Sequence, residues 1–360
     1  MLLQVEKNSK MCYFINKAFF LQERKDFSME NQEKIKVGVI GTGALGRHHA
    51  RLYKANPGAE VVGIFDVQKE SAQKVADEFG LTIFDSWEAL AAECEAFSVA
   101  VPATFHGSTT VPLLEMGKHV LVEKPIASSV EDAKKMLDAA VKNNVVFGVG
   151  HVERFNPAMV FLEDKITVPR FIEANRLAGY PPARPGSYPR GTEVSVILDL
   201  MIHDIDLVLS LVKSDVEKID VTGTPVLSPT EDIVNARIQF ANGSCAVLTA
   251  SRISAAPMRR LQILQEDGTF SMDLGNHAGV VTSFTREGIV SEEVNLPEVN
   301  ALANELDDFL CAVRTFKTTG KAVDTKVSGA QGLRALELAT AIEAEARRYN
   351  GQYSFSIKLK

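Results

Sequence analysis

The sequence predicts an α/β fold: an N-terminal doubly wound parallel sheet, then an α+β domain carrying a large, mostly antiparallel open sheet. Three observations predict it. From Lys34 to Gly150 near-continuous apolar runs alternate with helical patterns, as in a parallel sheet covered on both faces. A glycine triplet, Gly41, Gly43 and Gly46, stands where the first run gives way to the first helix. Beyond Arg154 the runs lengthen and are joined by Asn242-Gly243 and Asp267-Gly268, dipeptides that favour tight hairpins.

In order along the first half, strands fall on "KIKVGVI", "AEVVGIFD", "AFSVAVP", "HVLVEKP" and "VVFGVGH". Helices fall after Ala44, on "KESAQKVADEFG", near "STTVPLLEMG" and on "SVEDAKKMLDAAVKNN". The second half opens with a helical segment carrying "EVSVILDLMIHDIDLVLSLV", followed by the hairpins "QFANGSCAVLTASRI" and "LQILQEDGTFSMDL". Two helical stretches close the chain, "NELDDFLCAVRTF" and "GAQGLRALELATAIEAEARRY", with apolar residues three and four apart. The proline- and glycine-rich residues 179 to 191 suit neither helix nor strand and are a candidate lid. The expected organisation is a poorly ordered extension over 1–30, a doubly wound domain over 31–150, and an α+β domain over 151–360.

Composition narrows the function. The 360 residues are 46% hydrophobic and 24% charged, enough apolar material for two cores. A net charge of -7, with no basic stripe, argues against nucleic acid. Cys12, Cys94, Cys245 and Cys311 are scattered and form no C-x-x-C, which fits a reducing, cytoplasmic setting without disulfides or structural zinc. No apolar run reaches the roughly 18 residues of a membrane span. The patch from Met11 to Leu21 is interrupted by Lys17, and no cleavage signal follows it; Met29 stands just ahead of the first strand.

The glycine triplet is G-x-G-x-x-G in a strand-turn-helix setting. The first glycine permits the tight turn, the second lets the backbone approach a pyrophosphate, and the third brings helix and strand together. With Ala44 and Leu45 at the helix start, it predicts a dinucleotide cradle. Asp66 ends the second strand twenty residues after Gly46, where a carboxylate accepts from ribose hydroxyls and repels a 2'-phosphate. NAD is expected over NADP, with Lys69 the one nearby cation.

Two further constellations carry chemistry. Glu123-Lys124-Pro125 sits at the carboxyl end of a strand, where open α/β sheets bind ligands, and the Lys124 ammonium could polarise an oxygen as hydride moves. A solvated strand-end lysine is the competing reading. Asp199 and His203 are four residues apart on one helical face, an arrangement for taking an alcohol proton. A surface Asp-His pair or a core histidine competes. Asp199, His203 and Asp206 could also approach a metal, but no second histidine lies at ligand spacing and hydride transfer to NAD needs none. No metal is expected.

Taken together, the glycine fingerprint, "VPATFH" with Pro102 and His106, "EKP" and the later D-x-x-x-H resemble the Gfo/Idh/MocA family of NAD(P)-dependent sugar and polyol oxidoreductases, from about residue 34 to 350. The resemblance implies a Rossmann domain, a C-terminal domain whose open sheet often mediates a homodimer or homotetramer, and an active site between them. It implies Lys124 as the catalytic lysine, Asp199 and His203 as the catalytic pair, and Pro102, His106 and Glu123 as cleft residues. Two features depart from the family pattern: the approach to Asp199 is "EVSVIL" rather than glycine-rich, and Met201 replaces a glycine, which alters the expected pocket wall.

"GHVERFNPA", "RLAGY" and "ASRISAAPMRRLQI" are most similar to the branch that includes UDP-N-acetylglucosamine 3-dehydrogenases, which supply a keto sugar nucleotide for lipid A, a lipopolysaccharide component. Arg154, Asn156 and Arg176 are the expected substrate ligands, with Arg252, Arg259 and Arg260 as further donors for a diphosphate. Scattered ion pairs are the competing reading for these arginines. Two other functions remain open at this point: a dehydrogenase of free sugars or inositol, and a non-catalytic NAD-binding regulator.

Overall fold

The computed structural model describes residues 33–182 and 194–353. The expected extension over 1–30 and most of the candidate lid lie outside the described residues.

The first sheet contains β1 (Ile35–Ile40), β2 (Ala59–Phe65), β3 (Ala96–Val99), β4 (His119–Glu123) and β5 (Phe147–Gly150) in the order β2-β1-β3-β4-β5. All four pairings are parallel. β3, β4 and β5 are buried at every position, which is why their sequences run apolar without alternation. The crossovers are α1 (Ala44–Ala55), α2 (Lys69–Phe79), α3 (Trp87–Glu93), α4 (His106–Glu115) and α5 (Val130–Lys142). Ser86 and Ser129 cap α3 and α5 by accepting from the backbone N–H groups of Ala89 and Asp132. Strand order reverses between β1 and β3, so a crevice opens beyond their carboxyl ends.

A short α6 (Pro157–Leu162) leads into the second sheet. Its strands are β6 (Phe171–Leu177), β7 (Val216–Thr224), β8 (Ile233–Phe240), β9 (Cys245–Ser251), β10 (Met258–Gln265), β11 (Gly268–Asp273), β12 (Ala278–Thr285) and β13 (Gly288–Asn295). The order is β13-β12-β11-β10-β6-β9-β8-β7, antiparallel except for β6 against β9. The Asn242-Gly243 and Asp267-Gly268 dipeptides do mark hairpins, between β8 and β9 and between β10 and β11. One face of this sheet packs on α7 (Ile202–Val212) and on part of the last helix, α9 (Gly329–Tyr353). The alternation of buried and exposed residues along β8 is the signature of that one-sided cover.

Two expectations need correction. The helix carrying Asp199 is not uniformly α: Ile197–Met201 forms a π-helical turn before α7 begins. Met201 is fully buried in the core beside Ile197 and Ile202, so it does not form a pocket wall. The division at residue 150 is also too simple. The helix α8 (Ala301–Thr319) buries Leu306, Phe309, Leu310 and Val313 against Ile35, Val37 and Tyr53 of the first sheet unit. Each such side chain contributes about 1.5–3 kcal/mol on burial. The helix α9 spans the two units, with Leu336 in a core of the first and Leu338 and Ile342 in the core of the second.

Glu305 of α8 is a charged residue in this apolar setting, 2% exposed, with neither carboxyl oxygen bonded to a protein partner. Burial, reinforced by Glu123, Asp308 and Asp206, raises its carboxyl well above the ordinary value near 4.5. The unfolded chain releases this proton near its ordinary value while the folded chain keeps it. The associated stability is therefore present below pH 4.5 and lost as pH rises towards the folded value. Glu305→Gln should raise the melting temperature at pH 8 and leave it nearly unchanged at pH 4.5. Thermal melts at both pH values check this, and an equal shift at both would contradict it.

Candidate active site

The glycine loop is shaped by contacts that only hydrogen allows at two of its positions. Gly41 has φ +89°, and a Cβ there would meet the carbonyl oxygen of Ala100 at 2.6 Å. A Cβ on Gly46 would fall 1.8 Å from the carbonyl oxygen of Gly41. Gly43 differs: open space surrounds its Cβ position, and Ala44 and Leu45 beside it are exposed. The start of α1 thus presents free backbone N–H groups to the crevice, an anion site that suits a pyrophosphate. Asp66 follows β2 and accepts from the Thr42 backbone N–H at 2.6 Å, the Thr42 hydroxyl at 2.8 Å and the Gln68 N–H at 2.8 Å. Its carboxylate is therefore fixed beside the glycine loop, where it can meet an adenosine ribose. These residues fit a bound dinucleotide.

On the far side of the crevice β4 delivers Lys124 to Asp199. The Lys124 ammonium donates to the backbone oxygen of Asp199 at 2.7 Å and to Oδ1 at 3.3 Å. Asp199 lies within the π-helical turn Ile197–Met201, a local irregularity of the kind often found at functional sites. His203, one turn further along, keeps part of its surface open, whereas Nδ1 is sealed and has no partner. Burial chiefly, then the positive charges of Lys124 and Arg176, hold its imidazole well below the ordinary value of 6.5. A neutral ring, an ammonium and a carboxylate therefore meet at one mouth of the crevice, a set that can remove a proton from an alcohol and steady the oxygen left behind.

The residues supporting this mouth were largely missed by sequence reasoning. His49 of α1 places Nε2 2.8 Å from Glu123 Oε1 and Nδ1 2.9 Å from the Ser98 hydroxyl, which also meets the Tyr53 hydroxyl at 3.0 Å. Glu123 also accepts from the Lys124 N–H at 3.2 Å, which fixes the backbone that carries the lysine. Although burial opposes ionisation, the bond to His49 and its charge bring the Glu123 carboxyl below its usual value. The signal was present in the buried stripe Gly46, His49, Ala50 and Tyr53 of α1, in which a histidine occupies a core position. His106 lies between the carbonyl oxygens of Pro125 at 2.8 Å and Val101 at 2.9 Å, tying the two crevice loops together, while Pro102 is exposed at the rim.

The arginines divide sharply. Arg176 is 4% exposed, and its guanidinium donates to Asp204 at 2.8 and 3.1 Å and to Glu153 at 2.9 Å. Arg252 donates to Asp232 at 2.7 Å and to the Val194 carbonyl at 2.8 Å. Asn156 caps α6 by accepting from the Ala158 N–H at 3.0 Å and donates to the Leu274 carbonyl at 2.9 Å. The expectation that Arg176 and Asn156 face a substrate is corrected: their donors hold the second unit together. Arg154 stays near the mouth but pairs with Asp206 at 3.7 Å. On β10 the buried positions are Leu261, Ile263 and Gln265, which puts Arg259 on the covered face and Arg260 on the open one. The Arg259 side chain is 55% exposed, 3.5 Å from Glu153, and its charge acts on His203. Among the described residues, no group of three or more His, Cys, Asp and Glu side chains could hold a metal ion.

The fold and crevice define an oxidoreductase with an NAD-binding Rossmann domain, and a family model of that description matches residues 35–151. A model of the GFO/IDH/MocA C-terminal domain matches residues 162–271. The chain belongs to the Gfo/Idh/MocA family of oxidoreductases. It is 34% identical to UDP-N-acetylglucosamine 3-dehydrogenase of Acidithiobacillus ferrooxidans over 87% of this chain and 99% of that protein. A solved structure of that enzyme superposes with a TM-score of 0.82, covering 88% of this chain and 99% of that one. A scyllo-inositol 2-dehydrogenase (NAD(+)) of Bacillus subtilis is 29% identical over 63% of this chain and 69% of its own length. Levoglucosan dehydrogenase, solved with NADH and levoglucosan, shares the fold at 21% identity with a TM-score of 0.77, covering 88% of this chain and 98% of that one.

The glycine geometry separates two substitutions. Gly43→Ala should keep the melting temperature within about 1–2 °C, since its Cβ enters open space, while weakening NADH binding. Gly46→Ala should lower the melting temperature first. Thermal melts beside NADH fluorescence titrations check the pair, and unchanged NADH affinity in Gly43→Ala would show that the pyrophosphate lies elsewhere.

Proposed function

We propose that the protein is an NAD-dependent dehydrogenase that moves a hydride between C3 of UDP-N-acetylglucosamine and the nicotinamide. The observation that carries the chemistry is the convergence of Lys124, Asp199 and His203 at the mouth of the crevice. The relative that spans 99% of its own length against this chain supports the substrate. NAD is favoured over NADP because the fixed Asp66 carboxylate repels a 2'-phosphate.

In this reading Gly41, Gly43, Ala44, Leu45, Gly46 and Asp66 hold the cofactor, with Pro102, His106 and Glu123 shaping the cleft. When bound, the nicotinamide supplies the hydride acceptor. The open side of the His203 ring accepts the hydroxyl proton, and Lys124 steadies the oxygen as it gains carbonyl character. Asp199 orients the Lys124 ammonium through Oδ1 and its own carbonyl. The half-exposed Arg259 meets the diphosphate in this reading. The open sheet face exposes Phe171 and Leu264, and the outermost strand exposes Ile289 and Val290, which supports assembly of copies through this sheet.

A second reading, oxidation of a free polyol, is favoured by the internal commitment of Arg176 and Arg252, which leaves fewer donors for a diphosphate. Incubation with NAD and UDP-N-acetylglucosamine, with myo-inositol and glucose in parallel, should yield reduced cofactor from the sugar nucleotide and not from the free compounds. Turnover with the polyol alone would discard the substrate while keeping the site. With the accepted substrate, Lys124→Met and His203→Ala should each lower kcat roughly a hundredfold or more.

A pH profile tests the neutral ring. A base held well below 6.5 is already unprotonated at pH 6.5, so the acid limb of kcat/KM for oxidation should lie below that pH. A limb at or above 6.5 would assign the proton to another group.

A further inference from the structure

An imidazole that accepts a proton at one nitrogen can release one from the other. The face of His203 towards the cleft leaves Nδ1 pointing into the protein, sealed and without a partner. Behind it stands His151, directly after β5 and 0% exposed, with ring centroids 6.4 Å apart and planes at 86°. Both His151 nitrogens lack a protein partner, as does Oδ2 of Asp206, which lies three residues beyond His203 on α7 and is also buried. Glu305 is also buried with both oxygens unpartnered, and the charge of Asp206 acts on it. Such groups are costly to bury bare and are normally joined by ordered water, which also spans a ring-to-ring gap of this size.

The electrostatics give the row a direction. Burial first, then the charges of Lys124, Arg176, His151 and Arg259, act on His203, so a second proton on this ring is strongly disfavoured. Burial lowers the His151 imidazole as well, but Asp206 and Glu123 oppose that shift, with Lys124 and Arg154 on the other side. Asp206 is faced by His151 and Arg154. Burial raises the Asp206 carboxyl, so a proton behind the ring is better held by the His151–Asp206 pair than as a second proton on His203.

We propose that His151 and Asp206 form a proton relay behind His203. It rests on the reading of His203 as the base. The substrate O–H bond breaks towards Nε2 of His203, and the Nδ1–H bond of the same ring breaks towards His151 through water. The proton comes to rest on the His151–Asp206 pair, while the electron pair of the C–H bond passes to the nicotinamide. His203 is neutral before and after the step, and reduction of a ketone runs the same path backwards. His151 and Asp206 act through His203 and are positioning residues.

The relay requires the Nδ1–H tautomer of His203 in the resting protein. Long-range 15N–1H spectra of histidine-labelled protein, with the signal assigned by its loss in His203→Gln, should show that tautomer. The Nε2–H form would overturn the proposal whatever the substrate. In turnover, His151→Gln should lower kcat about tenfold or more with KM within about twofold, and the solvent deuterium effect on kcat should at least double. Asp206→Asn should behave alike, and serves if the first variant fails to fold. Unchanged kcat and isotope effect, beside an inactive His203→Ala, would remove the relay and keep the base. Near-normal turnover in His203→Ala would remove both.

Discussion

Lys124 reaches from the end of β4 to the carbonyl of Asp199, and the candidate chemistry depends on that reach. A lysine from the parallel sheet and a carboxylate from the helical segment of the second unit acquire a common point only there. The connection is possible because two local irregularities coincide. The Glu123 carboxylate, held by His49, fixes the chain around the lysine, and Asp199, whose carbonyl accepts from it, lies in the π-helical turn.

The parallel sheet was legible because its strands are buried on both faces and its glycine loop has little conformational freedom. Gly41 and Gly46 meet backbone atoms that no side chain could accommodate, a local constraint that survives in the pattern G-x-G-x-x-G. Lys124, Asp199 and His203 were legible through spacing and resemblance. The arginines were not. One arginine in a string of letters is equivalent to another, and only strand register shows that Arg176 points into Asp204 while its neighbour across the ladder, Arg259, ends at the mouth. The π-helical turn was hidden for a related reason: an apolar stripe reports a helix but not an extra residue within one turn. β12 and β13, in which no position is fully buried, carried too little alternation to be read.

Charge is distributed unevenly between the two units. In the second unit, acids and bases are matched at close range, Arg176 with Asp204 and Glu153, and Arg252 with Asp232. Breaking such a pair leaves an uncompensated buried charge, so these groups are fixed in place. Behind the site the pattern is different: His151 and Glu305 have no protein partner and Asp206 leaves Oδ2 bare while Oδ1 lies 3.7 Å from Arg154, so a proton is the particle that can move among them.

The return of α8 to the first sheet has a consequence for how such a protein can be rearranged. Topologically, the second sheet is an insertion between β5 and α8, and the Rossmann unit is complete only when both ends of the chain contribute. A single cut after β5 would strip Leu306, Phe309 and Leu310 from the face they cover and expose apolar surface on both products. Exchange of the substrate-bearing part between relatives must therefore be an exchange of a loop-like cassette with two junctions, and the two junctions must stay in register for Lys124 to find Asp199.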